Sequence, residues 1–145
     1  MAGITVGVDG SHGARLALEW AMKEAAAHHA PLTVLTVHVV ASDGWTGNPI
    51  ILPADEAELE KTRHAAEEVV AEVASHQGES RPASVTIRAV NGIPAQELID
   101  VSREADLLVV GSRGTGGFAR LLLGSVSLQV VQHAHCPVVV VRQDS

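Results

Sequence analysis

The chain has 145 residues, 46% of them hydrophobic and 19% charged, and its formal net charge is −7. This length suits a single domain over residues 1–145, and the acidic balance argues against a basic surface for nucleic acid or anionic membranes. The single cysteine, Cys136, rules out an intramolecular disulfide and four-cysteine zinc sites. With no signal-peptide pattern and no apolar run of membrane-spanning length, the sequence predicts a cytoplasmic protein.

Strand and helix signals alternate through the first half of the chain. Ile4–Val8 is a short apolar run that ends in an Asp-Gly pair, which predicts a strand and a turn. Apolar residues at helical spacing predict a helix over residues 11–29, with Ser11 as its N-cap. Residues 32–40 predict a second strand. Residues 41–54 contain two glycines and two prolines and are predicted to form one long loop.

The second half continues the alternation. Asp55 followed by Glu58 is typical of a capping box at the start of a helix. The third strand alternates in polarity, as an exposed edge strand does, whereas the first, second and fourth are nearly continuous apolar runs. The elements predicted in this half are helix 55–78, strand 85–89, a short helix from Pro94, strand 106–111, helix 125–134 and strand 137–141.

Five strands interleaved with four helices predict an α/β fold of the flavodoxin-like type. The expected architecture is a single open parallel sheet of strand order 3-2-1-4-5 with helices on both faces. The strand order then reverses between the first and fourth strands. Ligands bind outside the carboxyl ends of the strands at such a point. The segments predicted there are residues 9–11 and the glycine-rich residues 111–117.

The stretch from Gly111 to Ser125 predicts a phosphate cradle. Glycines let the backbone turn sharply and approach a ligand, and the Gly124-Ser125 pair opens a helix whose free amides favour an anion. It is not a Walker A loop, because the only lysines, Lys23 and Lys61, lie on other predicted helices. It is not a dinucleotide fingerprint either, because no G-x-G-x-x-G follows the first strand.

The spacing G-x2-G-x9-G-S in this stretch resembles the nucleotide-binding motif of the universal stress protein family. Further matching segments lie in order along the chain: VGVDGS at 6–11, HV at 38–39, LLGSVS at 122–127 and HCPVVVV at 135–141. The chain resembles the members that retain the glycine motif and bind ATP. It departs nowhere from the motif itself.

The resemblance implies a role for each matching residue. Gly7 and Asp9 border the adenine and ribose, and Val39 contributes to the adenine pocket through its backbone. The residues implied to wrap the ribose and phosphates are Gly111, Ser112, Arg113, Gly114, Thr115, Gly116 and Gly117. Those implied to meet the phosphates at the helix start are Gly124, Ser125 and Val126. No carboxylate cage is visible in this stretch, so a Mg²⁺ ion is expected to be held mainly by phosphates and water.

Two functions from different classes remain open at this stage. One is a regulatory, nucleotide-dependent stress-response module with at most slow ATP hydrolysis and no assigned catalytic residue. The alternative is an enzyme that uses ATP for phosphoryl or adenylyl transfer on a related fold. Fast phosphoryl transfer needs a cradle lysine, metal carboxylates and a base, which the motif lacks, and this favours the module. FMN is disfavoured because so few aromatic residues are present to sandwich a flavin.

The last strand predicts a homodimer. It lies at an edge of the sheet, yet its valines at 138–141 are apolar on both faces, and such an edge invites pairing with another chain. Two copies paired antiparallel through this strand would close the contact. Members of the family that the chain resembles commonly dimerise in this way. Downstream signalling partners, and the role of Trp45 in the long loop, are not indicated by the sequence.

Overall fold

The computed structural model describes residues 3–42, 49–113 and 123–143. Its helices and strands, in chain order, are β1 (Ile4–Val8), α1 (His12–Ala27), β2 (Pro31–Val39), β3 (Ala41–Ser42), β4 (Pro49–Ile51), α2 (Glu56–Ser75), β5 (Ser84–Gly92), α3 (Pro94–Val101), β6 (Leu107–Gly111), α4 (Ser125–His133) and β7 (Val138–Val141).

Five of these strands form one parallel sheet in the order β5-β2-β1-β6-β7. Counted along the chain without the short β3 and β4, this order is 3-2-1-4-5, which confirms the predicted topology. The order in which the chain adds strands reverses between β1 and β6. Both strands end at the same edge of the sheet, which we call the carboxyl edge. Each helix that follows a strand therefore begins at this edge.

The core divides into one layer on each face of the sheet. Helices α1 and α2 cover one face, where Val6, Leu18 and Val73 belong to one buried cluster. Helices α3 and α4 cover the other face, where Leu98 and Val130 pack on the sheet. Among the described residues, no helix has both the length and the hydropathy needed to cross a bilayer.

Predicted helix starts are confirmed at atomic detail. The Ser11 hydroxyl accepts a hydrogen bond from the Ala14 amide at 3.1 Å, and Asp55 Oδ1 accepts one from the Glu58 amide at 2.8 Å. These caps satisfy amides that the first helical turn leaves without partners. The helix ends fall a few residues short of the predicted limits at residues 29 and 78.

Two predicted boundaries were wrong. Residues 41–54 are not a single loop, because β3 and β4 pair antiparallel within them. The strand predicted to end before an Asn-Gly turn instead extends through Asn91 and Gly92. These two residues stay in the sheet because they pair with His38 and Val39 of β2, a non-local contact that outweighs the local turn preference.

An ion pair links the two helices on the first face. The Arg15 guanidinium of α1 lies 3.1 Å from Glu72 Oε1 of α2. The hydrogen bond from Arg15 holds the pKa of the Glu72 carboxyl below its ordinary value. Both side chains are partly exposed, so the pair adds little stability, but its pH dependence can be measured.

Candidate functional site

The candidate site lies at the carboxyl edge on the face covered by α3 and α4. Side chains alternate along a strand, and Leu35 and Val37 of β2 face α3 and α4. Val39, two residues further on, faces the same way. The same alternation carries Asp9, just after β1, onto this face. The amino ends of α3 and α4 begin here too, so two helix N-termini meet the end of the sheet.

A tight turn follows β1. The Asp9 carboxylate accepts a hydrogen bond from the Ser11 amide at 2.9 Å through Oδ1. Gly10 between them has φ +84°, a conformation that side-chain-bearing residues rarely adopt, so glycine is required. Asp9 is exposed, and within the described part of the chain its Oδ2 has no hydrogen bond. The turn thus fixes one carboxylate oxygen and leaves the other for a donor.

Gly7 has a packing role that the sequence did not reveal. It pairs with Leu35 and faces α3. A Cβ at position 7 would lie 2.9 Å from Cδ2 of Leu98, so glycine leaves room for the Leu98 side chain of α3. Its implied contact with the adenine and ribose stays a prediction.

An apolar surface forms where β2 and β5 end. Val39 is 44% exposed and pairs with Gly92, and the adjoining Ile93 is 61% exposed. A Cβ on Gly92 would lie 2.5 Å from Glu97 Oε1, because the Glu97 side chain folds over this glycine. The end of β2 therefore offers an exposed apolar side chain beside a carboxylate from α3.

A buried hydrogen-bond network joins β6 to α4. The Ser112 carbonyl oxygen accepts from the Gly124 amide at 2.6 Å and from the Ser127 hydroxyl at 2.9 Å. The Ser127 hydroxyl also lies 3.1 Å from the Gly124 carbonyl oxygen. We call residues 111–113 together with Gly124 the stem of the glycine-rich segment. The network closes this stem, so the two ends of the segment are held together.

Ser112 is tied to the last strand as well. Its amide donates to the Val141 carbonyl at 2.9 Å, and its hydroxyl accepts from the Gln143 amide at 3.3 Å. The residue is 2% exposed. The Ser112 hydroxyl thus serves the residues that follow β7, and its predicted contact with the ribose and phosphates stays a prediction.

Helix α4 begins as predicted, at Gly124. This residue is the N-cap, and no side chain caps the helix among the described residues. Ser125 is exposed and Val126 half-buried, so the first amides of α4 lie at the carboxyl edge. An uncapped helix start with its dipole is suited to a phosphate group.

Gly111 contacts α1 rather than the face of α3 and α4. A Cβ at Gly111 would lie 2.8 Å from the carbonyl oxygen of Gly13. Packing against the helix therefore accounts for glycine at this position. Its predicted ligand contact stays a prediction, as does that of the half-buried Arg113.

Part of the predicted site lies outside the described residues. This holds for Gly114, Thr115, Gly116 and Gly117, which were implied to wrap the ribose and phosphates. Trp45, to which the sequence assigned no role, also lies outside the described residues.

A second polar contact at this edge was missed from the sequence. The Asn91 side chain accepts from the Ala54 amide at 2.8 Å and donates to the Ala54 carbonyl at 2.9 Å. Its neighbour His38 has Nε2 at 3.2 Å from the Leu52 carbonyl oxygen. The two side chains hold residues 52–54 against the ends of β2 and β5. The Asn-Gly pair that signalled a turn was the available clue, but it pointed to the wrong structure.

In the part of the chain that the structure describes, neither a lysine nor a metal-ligating cluster lies at this edge. Lys23 and Lys61 belong to α1 and α2, on the face opposite the site. Within the described ranges, no group of three His, Cys, Asp or Glu side chains is placed to hold a metal ion. Burial raises the pKa of the Cys136 thiol, which disfavours the reactive thiolate.

Comparison with known proteins identifies the family of this chain. A family model described as the universal stress protein family matches residues 2–142. A universal stress protein of Mycolicibacterium smegmatis is 39% identical over 98% of this chain and 48% of its own length. Universal stress protein Rv2005c of Mycobacterium tuberculosis is 38% identical with the same coverage. The chain thus spans about half the length of the curated relatives it matches.

Solved structures agree with this match. The universal stress protein UspA from Lactobacillus plantarum has a TM-score of 0.77 and 29% identity, with 96% of each chain covered. A universal stress protein solved in complex with cAMP has a TM-score of 0.66 and 28% identity, with 96% of this chain and 94% of that chain covered.

Proposed function

Because the chain belongs to the universal stress protein family, we propose that it is an ATP-binding regulatory module. ATP would occupy the carboxyl edge on the face of α3 and α4. The observation that carries this proposal is the closed stem, in which the Gly124 amide meets the Ser112 carbonyl at 2.6 Å. This contact brings the stem of the glycine-rich segment and the start of α4 together at the point where the strand order reverses.

Each part of the nucleotide has a fitting group at this edge. The exposed Val39 side chain and the nearby backbone suit an apolar base. The Asp9 carboxylate suits ribose hydroxyls, which donate to it. The uncapped amides of Ser125 and Val126 suit phosphate oxygens, and Arg113 adds a positive charge. A Mg²⁺ ion would be held by phosphates and water, since Asp9 is needed for the ribose.

A relative solved with a nucleotide supports the ligand class. The structure with cAMP shows that a universal stress protein of this fold binds an adenine nucleotide. We prefer ATP because a site with an open helix start and several glycines can take a phosphate chain. Cyclic AMP, with its single phosphodiester, is the alternative ligand.

The same groups support slow hydrolysis at most. Neither lysine of the chain lies on the site's face, and a base beside the terminal phosphate is not provided by Asp9, which holds the turn. A bound nucleotide would therefore act through conformation or partners in the cytoplasm. Transfer of a phosphoryl or adenylyl group is the less supported function.

We also propose that the module is a homodimer joined through β7. The strand lies at the end of the sheet, and all four of its valines are half-buried. The Leu108 amide donates to the Pro137 carbonyl and the Ser112 amide to the Val141 carbonyl. Because backbone groups alternate in direction along a strand, those of Val138 and Val140 face outward, where a second β7 can pair with them.

The direct test is the nucleotide content of purified protein. Mass spectrometry of an acid extract should show an adenine nucleotide. Thermal unfolding with ATP, ADP, AMP and cAMP then ranks the ligands, because a ligand that binds only the folded state raises the Tm. A higher Tm with ATP than with cAMP supports the proposal, and a larger shift with cAMP would replace ATP as the ligand. No shift with any of the four would refute nucleotide binding.

A further inference from the structure

We propose that Gly13 is a positioning residue that sets the distance between the turn at Asp9 and the stem of the glycine-rich segment. This inference rests on the proposed nucleotide site. Gly13 belongs to neither the glycine motif nor the turn, and its importance arises from contacts between segments far apart in the sequence.

The contact is a mutual approach of two backbones. Gly13 is buried, and a Cβ there would lie 2.6 Å from the Arg113 carbonyl oxygen. A Cβ on Gly111 would in turn lie 2.8 Å from the Gly13 carbonyl oxygen. Side-chain Cβ atoms do not approach other atoms within 3.0 Å, so both positions require glycine.

Space, and not backbone conformation, is the reason for glycine at position 13. Gly3 and Gly10 have positive φ among the described glycines, whereas Gly13 does not. Gly13 is the second residue of α1, and glycine is among the least favourable residues within a helix. The close approach to the Arg113 carbonyl and to Gly111 therefore accounts for glycine at this position.

The contact holds the stem from the side opposite the buried network. On the face of α4, the Ser112 carbonyl is held by Gly124 and Ser127. On the face of α1, Gly13 lies against Gly111 and the Arg113 carbonyl. The stem is therefore contacted by α4 on one face of the sheet and by α1 on the other.

The same helix turn controls the other side of the site. Ser11 caps α1, and its amide donates to the Asp9 carboxylate at 2.9 Å. A shift of the first turn of α1 therefore moves Asp9 relative to the stem. Because ATP would contact both at once, a small displacement costs affinity even though Gly13 never touches the ligand.

Gly13→Ala is the informative substitution, and Gly78→Ala is its matched control. A Cβ at Gly78 would meet nothing within 4 Å. At 20 °C, with folding verified by circular dichroism, we expect G13A to raise the Kd for ATP at least about tenfold. The control should keep the wild-type Kd. A merely structural role for Gly13 would lower the Tm and leave the Kd of the folded protein unchanged.

The outcomes separate the two proposals. Wild-type protein that binds ATP, with a folded G13A of equal Kd, overturns the inference alone. Wild-type protein that binds no nucleotide overturns the proposed function and this inference together. Equal losses of affinity in G13A and G78A also contradict a specific role for Gly13.

A measurement on the wild-type chain covers the case in which G13A does not fold. With only glycines labelled by ¹⁵N, ATP should shift the amide signals of Gly13, Gly111 and Gly124, because the stem and the first turn of α1 move as one unit. The Gly78 signal serves as the internal reference. If ATP changes the chemical shift of Gly124 but changes that of Gly13 no more than that of Gly78, the inference is overturned.

Discussion

The amide of Gly124 donates a hydrogen bond to the carbonyl oxygen of Ser112 at 2.6 Å. This bond joins the residue after β6 to the N-cap of α4, and so closes the glycine-rich segment at its base. The buried Ser127 hydroxyl reaches the same carbonyl oxygen. The start of α4, where we propose that the phosphates bind, is therefore held to the end of β6 by hydrogen bonds.

Ser127→Ala should weaken this closure. Ser127 is 3% exposed and its hydroxyl lies within hydrogen-bond distance of two carbonyl oxygens, so loss of the hydroxyl should cost about 1 kcal/mol of stability. For a chain of this size, that corresponds to a Tm lower by about 3 °C, measured by calorimetric unfolding. The exposed Ser125→Ala on the same helix is the control and should leave the Tm unchanged. Equal Tm values for both variants would show that the hydroxyl does not support the stem.

Gly114→Val tests the ligand role of the glycine motif itself. A branched side chain would fill the space proposed for the phosphates, so displacement of a fluorescent ATP analogue should fall below detection. The circular dichroism spectrum should be unchanged, because the sequence predicts a loop at this position and loops tolerate substitution. Gly78→Val, at an open position, controls for the loss of a glycine. Unaltered binding by G114V would remove the motif from the site.

Much of the fold could be predicted because its signals are local. The apolar run Ile4–Val8 and the cap at Asp55 lie within a few residues of the elements they define. Asn91 was misplaced in a turn because its pairing with His38 depends on a strand far away in sequence. The motif glycines were found from their spacing, whereas Gly13 was missed because its constraint exists only where α1 meets β6.

Val140→Pro tests the proposed dimer. Proline removes an outward-facing donor of β7 and leaves the bonds from Leu108 and Ser112 to this region in place. Lysine at Val139 or Val141 is less suitable, because these valines pack against the core beneath α1. Light scattering should give twice the 15.1 kDa monomer mass for the wild type and the monomer mass for V140P. A V140P dimer of undiminished mass would place the interface elsewhere.

ATP turnover should be slow. Because both lysines lie on α1 and α2 and no base is assigned among the described residues of the site, we expect a rate well below ~1 per second, the lower end of the usual range for enzymes. The rate is measured as the release of inorganic phosphate from ATP in the presence of Mg²⁺. The G114V variant distinguishes hydrolysis at this site from hydrolysis by a contaminant. Hydrolysis within the enzymatic range that G114V abolishes would favour the transfer-enzyme alternative.

The Arg15–Glu72 pair predicts a small pH dependence of stability. The folded-state pKa of Glu72 is lowered, so its contribution is fully present above the ordinary glutamate pKa near 4.5 and is lost as the pH falls through the lower folded value. Glu72→Gln should lower the Tm at pH 7 by no more than about 2 °C. At pH 3 the difference in Tm between the variant and the wild type should be smaller. A Tm difference that grows as the pH falls would contradict the assigned direction of the pH dependence.

Calorimetric titration of ATP into the wild-type chain with Mg²⁺ tests the central claim most directly. The account predicts saturable binding of one ATP per chain, with a weaker signal for cAMP under the same conditions. Absence of heat up to millimolar ATP, in protein whose acid extract contains no nucleotide, would contradict it.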